Sequence, residues 1–301
     1  MSSLLSSRSA TVDMVASAFF FSLMGVCVKL AGSRIPAVEV VLARALVSVV
    51  LSWLLLRRAG VNPWGQRRGL LIWRGAIGTL ALLCVYQALA QLPLAAATVL
   101  QYSYPTFTAL LAWLHLGEPI GRRVLVAVVV GWIGVLLLAN PPQLLQVMAG
   151  PGHQAASLPL LPVLVALLGA LCTALAYVSV RALRHSEHPL VIVFYFPLVA
   201  LVLSLPLVLL NPVLPTGPEL LALLGVGLFT QLGQVSLTRG LMALPAARAT
   251  TISYVQVGFA VLWGWLLFGE VLDAATLAGA LLVLAATFIA QSNWRAKRLS
   301  V

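Results

Sequence analysis

The chain has 301 residues, of which 61% are hydrophobic and only 8% carry a charged side chain, and its formal net charge is +11. Soluble domains contain about 45–50% apolar and about 25% charged residues, so this composition excludes a soluble globular protein. A basic chain can bind nucleic acid, but these cations lie between long apolar runs, a pattern that reports orientation in membrane proteins.

Ten apolar segments follow one another, and each is close to the roughly 20 residues that a helix needs to cross a bilayer. Turn residues such as Asn62-Pro63 and His188-Pro189 separate them. We therefore predict an all-α polytopic membrane protein with ten transmembrane helices. The segments are Val12–Leu30, Ala37–Leu56, Gly69–Ala90, Leu94–Leu116, Arg123–Asn140, Leu158–Ala182, Pro189–Leu210, Glu219–Leu241, Ala246–Phe268 and Leu272–Gln291.

One connection is longer than the others and divides the chain. Residues 141–157 contain Pro, Gly and Gln but no Lys, Arg, Asp or Glu. We predict that they form an extracytoplasmic linker between two five-helix units, residues 12–140 and 158–291. Residues 1–11 are expected to form a disordered cytoplasmic tail, and residues 292–301 a second cytoplasmic tail.

A repeat relates the two units. The stretch Leu92–Glu118 aligns without a gap to Leu244–Glu270, at a constant offset of 152 positions (244 − 92). A fixed internal period indicates a duplicated structural unit. The matched residues are Leu92/Leu244, Pro93/Pro245, Thr98/Thr250, Tyr102/Tyr254, Phe107/Phe259, Trp113/Trp265, Gly117/Gly269 and Glu118/Glu270.

Most cations fall on one side of a ten-helix layout, which the positive-inside rule assigns to the cytoplasm together with both termini. Lys29 and Arg34 lie near the other side, and Arg44 lies within a segment. Because five is odd, the second unit enters the membrane from the opposite side. The cytoplasmic set is Arg8, Arg57, Arg58, Arg67, Arg68, Arg74, Arg122, Arg123, Arg181, Arg184, Arg239, Arg248, Arg295, Lys297 and Arg298.

The duplication is therefore predicted to be an inverted five-helix repeat. This architecture is typical of secondary transporters, in which the two repeats rock against each other and open a central site to alternate sides of the membrane. The expected membrane is the plasma membrane, with a bacterial inner membrane preferred.

Several short motifs lie in the first three segments and in the repeat. They are Ser22-Leu23-Met24-Gly25 with Lys29, Pro36 with Glu39 and Arg44, Arg74-Gly75 with Gly78, and the paired repeat block. With these residues the chain resembles, from Val12 to Gln291, the EamA-type branch of the drug/metabolite transporter superfamily. The resemblance implies ten helices and a central pathway lined by the first four and the sixth to ninth helices. It also implies substrates such as amino acids, their derivatives, nucleotide sugars or drugs.

Ionisable residues inside a membrane are costly and are therefore candidates for function. Arg44 lies about eight residues, or roughly 10–12 Å, into the second segment. One interpretation is that it holds an anionic group of a substrate; the other is a structural cation satisfied by backbone carbonyls or Glu39. Glu39 is five positions away, about 140° around the helix, and is a poor direct partner.

Uncharged polar residues concentrate in the segments that the repeat relates. They are candidates for the substrate pathway, although such side chains also join helices by hydrogen bonds. Pro105 is expected to interrupt its helix, whereas its repeat equivalent Val257 is expected to leave its helix intact. The candidates are Gln87, Gln101, Tyr102 and Tyr104 in the first unit, and Gln231, Gln234, Tyr254 and Gln256 in the second.

Proton coupling has few candidate residues. All seven acidic residues lie near predicted helix ends or in loops, so no carboxylate is expected at the membrane midplane. If transport is coupled to protons, Glu39 or His115 must carry the proton; otherwise the protein is an exchanger or a uniporter.

No pattern indicates an enzyme, a metal site or a cofactor, and Cys27, Cys84 and Cys172 lie singly within apolar runs. The expected partners are a small-molecule substrate and the lipid bilayer, without nucleic acid. Small residues in the fifth and tenth segments fit either a homodimer or internal packing.

The sequence favours a secondary transporter of small metabolites such as amino acids or related carboxylate-bearing compounds, working as an exporter or exchanger. The alternatives are a multidrug efflux carrier and a lipid scramblase or structural membrane protein.

Overall fold

The computed structural model describes residues 2–32, 34–92, 100–138, 160–269 and 274–291. These residues form eleven α-helices and no β-strand. The predicted linker 141–157 and tail 292–301 lie outside the described residues. The helices are α1 (Ser2–Ala31), α2 (Ala37–Arg58), α3 (Arg68–Gln91), α4 (Tyr104–Leu116), α5 (Arg122–Leu138), α6 (Leu160–Ala182), α7 (Pro189–Leu210), α8 (Gly217–Ala243), α9 (Ala246–Ile252), α10 (Val255–Phe268) and α11 (Ala274–Gln291).

Seven stretches of the described chain are long and apolar enough to cross a membrane. They include α9 and α10 as one span, and Leu277–Ala290 in α11 is a shorter apolar helix. α4 and α5 contain 13 and 17 residues, and residues 94–99 of the fourth predicted segment lie outside the described part. The spans are Ser9–Ala31, Ala37–Arg58, Arg68–Ala88, Leu160–Ala182, Pro189–Leu210, Gly217–Ala243 and Ala246–Phe268.

The first helix begins earlier than expected. α1 starts at Ser2, so the backbone is already helical where a disordered tail was predicted. Once a helix has nucleated, each added residue gains a hydrogen bond at small cost, and the long apolar part of α1 supplies that nucleus.

Helix boundaries in the two halves repeat at the same offset as the sequence. The starts of α2 and α7, the ends of α3 and α8, the ends of α4 and α10, and the starts of α5 and α11 are each 152 positions apart. The last turns of α4 and α10 end alike, at Gly117 (φ 62°) and Gly269 (φ 64°). This left-handed conformation favours glycine because a Cβ would strain it, which explains the matched glycines in the repeat.

The repeat block is interrupted in both halves. Tyr102 and Ser103 form a turn before α4, and Ser253 and Tyr254 form a turn between α9 and α10. The expectation that Val257 leaves the second helix intact is therefore wrong. The preceding turn offers a reason, because Thr and Ser hydroxyls there donate to helical carbonyls and such bonds bend helices. These donors are Thr250 to the Ala246 carbonyl (3.0 Å), Thr251 to the Ala247 carbonyl (2.7 Å) and Ser253 to the Ala249 carbonyl (3.5 Å).

The halves pack against each other in matched pairs. α1 contacts α8 and α3 contacts α6; α2 contacts α8 and α3 contacts α7; α1 contacts α10 and α4 contacts α6. α2 also contacts α7, and α5 contacts α11. Exchanging the two halves maps this set of contacts onto itself.

The small-residue faces of α5 and α11 are used within the chain. A Cβ on Gly134 would lie 2.9 Å from the Gly279 carbonyl oxygen and 3.0 Å from the Val283 nitrogen. Gly134 therefore lets the backbones of these helices approach closely.

Candidate functional site

A cavity of about 150 Å³ lies where the two halves meet. α1 to α4 contribute to its wall from the first half, and α6, α7, α8 and α10 from the second, while α5 and α11 supply none of the described lining. This distribution matches the pathway that the family resemblance implies. Its polar lining consists of Arg44, Arg74, Gln101, Tyr102, Tyr104, Thr173, Tyr177, Gln234 and Gln256.

Two arginines, hereafter the cavity arginines, meet at one aromatic ring. The guanidinium carbon of Arg44 lies 5.5 Å from the centroid of Phe196, and that of Arg74 lies 4.2 Å from it. Because both distances are to the same ring, the two guanidinium carbons are within about 10 Å of each other. Both residues are buried, at 5% and 2% exposure, and charges at this range interact strongly in a medium of low dielectric constant.

Arg74 has unused hydrogen-bond donors. Its Nη2 donates to Gln234 Oε1 at 3.4 Å, whereas its buried Nε and Nη1 atoms have no hydrogen-bond partner. Gly78, one turn further along α3, makes room for this side chain: a Cβ there would lie 2.8 Å from Arg74 Nη1 and 2.9 Å from Phe196 Cε2. A buried cation with unpaired N–H groups is costly and attracts an acceptor.

No acidic residue belongs to the described lining of the cavity. Described carboxylates elsewhere, such as those of Glu118 and Glu219, have basic partners of their own. Glu118 accepts from Arg181 Nε at 2.7 Å, and Glu219 accepts from Arg34 Nε at 2.9 Å. Within the described residues, neither cavity arginine forms an ion pair. The site therefore carries two positive charges that no described carboxylate balances.

Four tyrosines form a connected group beside the cavity arginines. The ring of Tyr102 lies 6.0 Å from that of Tyr104, and Tyr104 meets Tyr177 edge to face at 5.6 Å. Tyr102 also stacks on its repeat equivalent Tyr254 at 6.0 Å and 23°. Tyr254 is fully buried, and a Cβ on Gly131 would lie 2.6 Å from its ring. This group combines apolar ring faces with hydroxyls, which suits an organic solute with polar substituents.

The structure brings most of the predicted pathway residues together. Six line the cavity, Tyr254 stacks directly behind it, and Gln231 lies in a smaller space beside Arg44, where it donates to Ser52 Oγ at 2.8 Å. Gln87 is exposed on α3 and does not line the cavity. The six lining residues are Arg44, Gln101, Tyr102, Tyr104, Gln234 and Gln256.

The two candidates for proton transfer lie away from the cavity lining. Glu39 is buried at the start of α2, where its carboxylate accepts from the backbone nitrogen of Val213. His115 is exposed near the end of α4, with Nδ1 3.2 Å from the Leu111 carbonyl oxygen. Glu39 thus joins the start of α2 to the connection before α8.

Arg74 was not predicted as a site residue and was counted among the cytoplasmic cations. It lies six residues after the start of α3, about 9 Å along the helix, and its side chain is buried in the cavity wall. Its depth in a long apolar run was the available signal, as it was for Arg44. Phe196 and Tyr177 were also missed, because an aromatic residue in an apolar segment looks like packing.

No group of three or more His, Cys, Asp or Glu side chains in the described residues could hold a metal ion. The three cysteines are free thiols, and Cys84 and Cys172 are buried.

Known proteins match both halves of the chain. The model of the EamA-like transporter family matches residues 10–140 and 160–291. The pseudopaline exporter CntI of Pseudomonas aeruginosa strain UCBPP-PA14 is 36% identical over 280 residues, which cover 93% of this chain and 94% of that protein. Human solute carrier family 35 member G1 is 31% identical over 275 residues, which cover 89% of this chain and 75% of that protein.

The fold has a counterpart among solved structures. A crystal structure with 18% sequence identity superposes with a TM-score of 0.81, over 98% of this chain and 99% of that chain. The family model covers most of the chain, and the apolar helices and the relatives agree with it. The protein is therefore a multi-pass membrane transporter, not an enzyme, and belongs to the EamA-like transporter family.

Proposed function

We propose that the protein exports small carboxylate-bearing metabolites, such as amino acids or related compounds, through the cavity between its halves. The observation that carries this proposal is the pair of buried cavity arginines in a lining without a described carboxylate. An anion gains from both charges, whereas an organic cation is repelled by them. The same observation disfavours the multidrug alternative for cationic drugs.

We further propose ten transmembrane helices arranged as two inverted five-helix repeats. The 152-residue offset supports this arrangement because it relates helix boundaries throughout both halves, beyond the 27-residue block found in the sequence. The matched helix contacts support a pseudo-two-fold relation between the halves.

The proposed symmetry axis passes through the site. Arg44 contacts Phe196 and Tyr102 contacts Tyr254, and each pair occupies equivalent positions, 152 residues apart. Equivalent residues touch each other only near a two-fold axis. A site on such an axis is equally accessible from either side when the halves rock, which supports alternating access.

A relative supports the proposed direction of transport and the proposed membrane. The relative in Pseudomonas aeruginosa is named as an exporter of pseudopaline. We propose export across a bacterial inner membrane for this chain too, with both termini cytoplasmic.

The test uses purified protein in liposomes, loaded with amino acids, organic acids or pseudopaline and compared with liposomes loaded with ethidium. We expect protein-dependent efflux of at least one carboxylate-bearing solute, and a loss of most of that flux in Arg44→Ala. Efflux of ethidium alone would support the multidrug alternative. Movement of fluorescent phospholipid between leaflets without solute flux would support a scramblase and overturn the proposal.

A further inference from the structure

Resting on the proposed function, we propose that the transported solute carries at least two anionic groups, one bound by Arg74 and the other by Arg44. The cavity arginines approach the same ring from two helices, so their charges face a shared space. A solute with one carboxylate would balance only one of them.

The balance of charge matters because the site lies inside a membrane protein. An unpaired charge is penalised when water is removed from around it, and two like charges in one cavity add their mutual repulsion. In alternating access, the site closes toward one side of the membrane before it opens toward the other, so water is removed from around the bound solute during the change. A dianion neutralises the site during that step, whereas a monoanion leaves one positive charge.

Arg74 has the capacity for such a ligand. Among the described residues, its side chain donates one long hydrogen bond, to Gln234, and two of its buried nitrogens have no hydrogen-bond partner. A carboxylate that accepts from a guanidinium forms a strong charge-assisted hydrogen bond. Gln234 and the Tyr102 and Tyr177 side chains complete a polar surface around the same space.

A purely structural role for the two cations is disfavoured by the repeat itself. The positions equivalent to Arg44 and Arg74 in the second half are Phe196 and Val226, both buried apolar residues. The duplicated scaffold therefore packs these positions without any charge. The positive charges are a departure from the repeat, and they occur at the cavity.

The experiment identifies the solute without assuming it. Proteoliposomes are loaded with the small-molecule extract of bacterial cells, and the solutes that leave through the protein are identified by mass spectrometry. For each one, the affinity is then compared with that of the derivative in which one acid group is converted to an amide. We expect the exported solutes to carry two or more anionic groups at pH 7, with affinity about tenfold or more above that of the amide.

Variants assign the two groups. In Arg74→Gln and in Arg44→Gln, the ratio of the affinity for the diacid to the affinity for its amide is expected to fall to about twofold. Arg58→Gln, at the exposed end of α2, is the matched control and retains the ratio. If Arg74→Gln does not fold, Arg74→Lys keeps the charge without the guanidinium and is expected to preserve the preference at reduced affinity.

The outcomes separate this inference from the proposed function. Export restricted to solutes with a single carboxylate, or equal affinity for diacid and amide, would overturn the inference and leave the transport of carboxylates intact. A diacid preference unchanged in both variants would also overturn it. If the only exported solutes carry no anionic group, the proposed function and the inference both fail.

Discussion

At the scale of single residues, the positions of the large side chains in the cavity wall depend on glycines that leave room for them. Gly78 is the clearest case, because Arg74 and Phe196 occupy the space that its Cβ would take. Gly25 offers the opposite case, since a Cβ there would meet nothing within 4 Å. Both glycines lie inside helices, where alanine is otherwise preferred.

We predict that Gly78→Ala weakens solute affinity about tenfold while the protein still folds, because the added methyl group pushes the Arg74 guanidinium away from its position. Transport assays in liposomes measure the affinity, and the melting temperature in detergent reports folding. Gly25→Ala is the control and should leave affinity unchanged. Equal behaviour of the two variants would contradict the prediction.

Symmetry at the residue scale is broken selectively. Tyr102 and Tyr254 are identical and stack, whereas the equivalent pair Arg44 and Phe196 combines a cation with an aromatic ring. The repeat thus places equivalent residues next to each other, and the unequal pair introduces a positive charge at the site.

At the scale of helices, close backbone packing joins the halves along α5 and α11. Gly134 faces backbone atoms of α11, which cannot move aside as a flexible side chain can. In contrast, a Cβ on Gly258 in α10 would have its nearest contact 4.0 Å away, at Leu284.

Gly134→Ala is therefore expected to lower stability by about 1–3 kcal/mol, because the methyl group overpacks the contact between α5 and α11. Thermal unfolding in detergent measures this loss. Gly258→Ala serves as the control and is expected to be neutral or stabilising through its higher helix propensity. A Gly134→Ala protein as stable as the unsubstituted protein would contradict the prediction and show that α5 and α11 can move apart without a loss of stability.

A second inter-helix connection is made by Glu118. It accepts from Arg181 Nε at 2.7 Å and from the backbone nitrogen of Ala246 at 2.8 Å, so it ties the end of α4 to α6 and to the start of α9. The pair formed by Arg34 and Glu219 is more open, because the Arg34 side chain is 50% exposed.

We expect Glu118→Gln to destabilise the protein by about 1–3 kcal/mol, because it leaves Arg181 without its ionic partner. Glu219→Gln should have a smaller effect that weakens further in high salt, since exposed pairs are screened. Melting temperatures in detergent at low and high salt compare the two. A larger effect for Glu219→Gln would reverse this ranking.

At the scale of the whole molecule, the proposed inverted topology places the two ion pairs at opposite membrane faces. The connection that contains Ile120 is expected in the cytoplasm, and the connection that contains Leu214 on the outside. Both side chains are exposed, at 39% and 85%.

We predict that an impermeant maleimide added to intact cells labels Leu214→Cys but not Ile120→Cys. Permeabilised cells should allow both to react, which controls for accessibility. The unsubstituted protein corrects for its own three thiols. Labelling of Ile120→Cys in intact cells would contradict the proposed orientation.

The membrane class, most helix positions and the repeat could be predicted from the sequence, because length and polarity along the chain are sufficient for them. Six predicted pathway residues also line the cavity, since polar residues are costly in lipid and concentrate at such sites. Gln87 and Arg74 show the limit. Gln87 carried the same polar signal but is exposed, and Arg74 was counted among the cytoplasmic cations but is buried in the cavity wall.

The sequence by itself determined that the chain is a polytopic membrane protein made of two related halves, because composition and a fixed 152-residue offset require no knowledge of packing. Only the tertiary structure decided that Arg74 joins Arg44 at Phe196, and that the second repeat block is interrupted as well as the first. Successive side chains of a helix point in directions about 100° apart around its axis. When a helix is apolar on every face, the sequence does not show which of these directions faces the cavity. The packing of the neighbouring helices decides it.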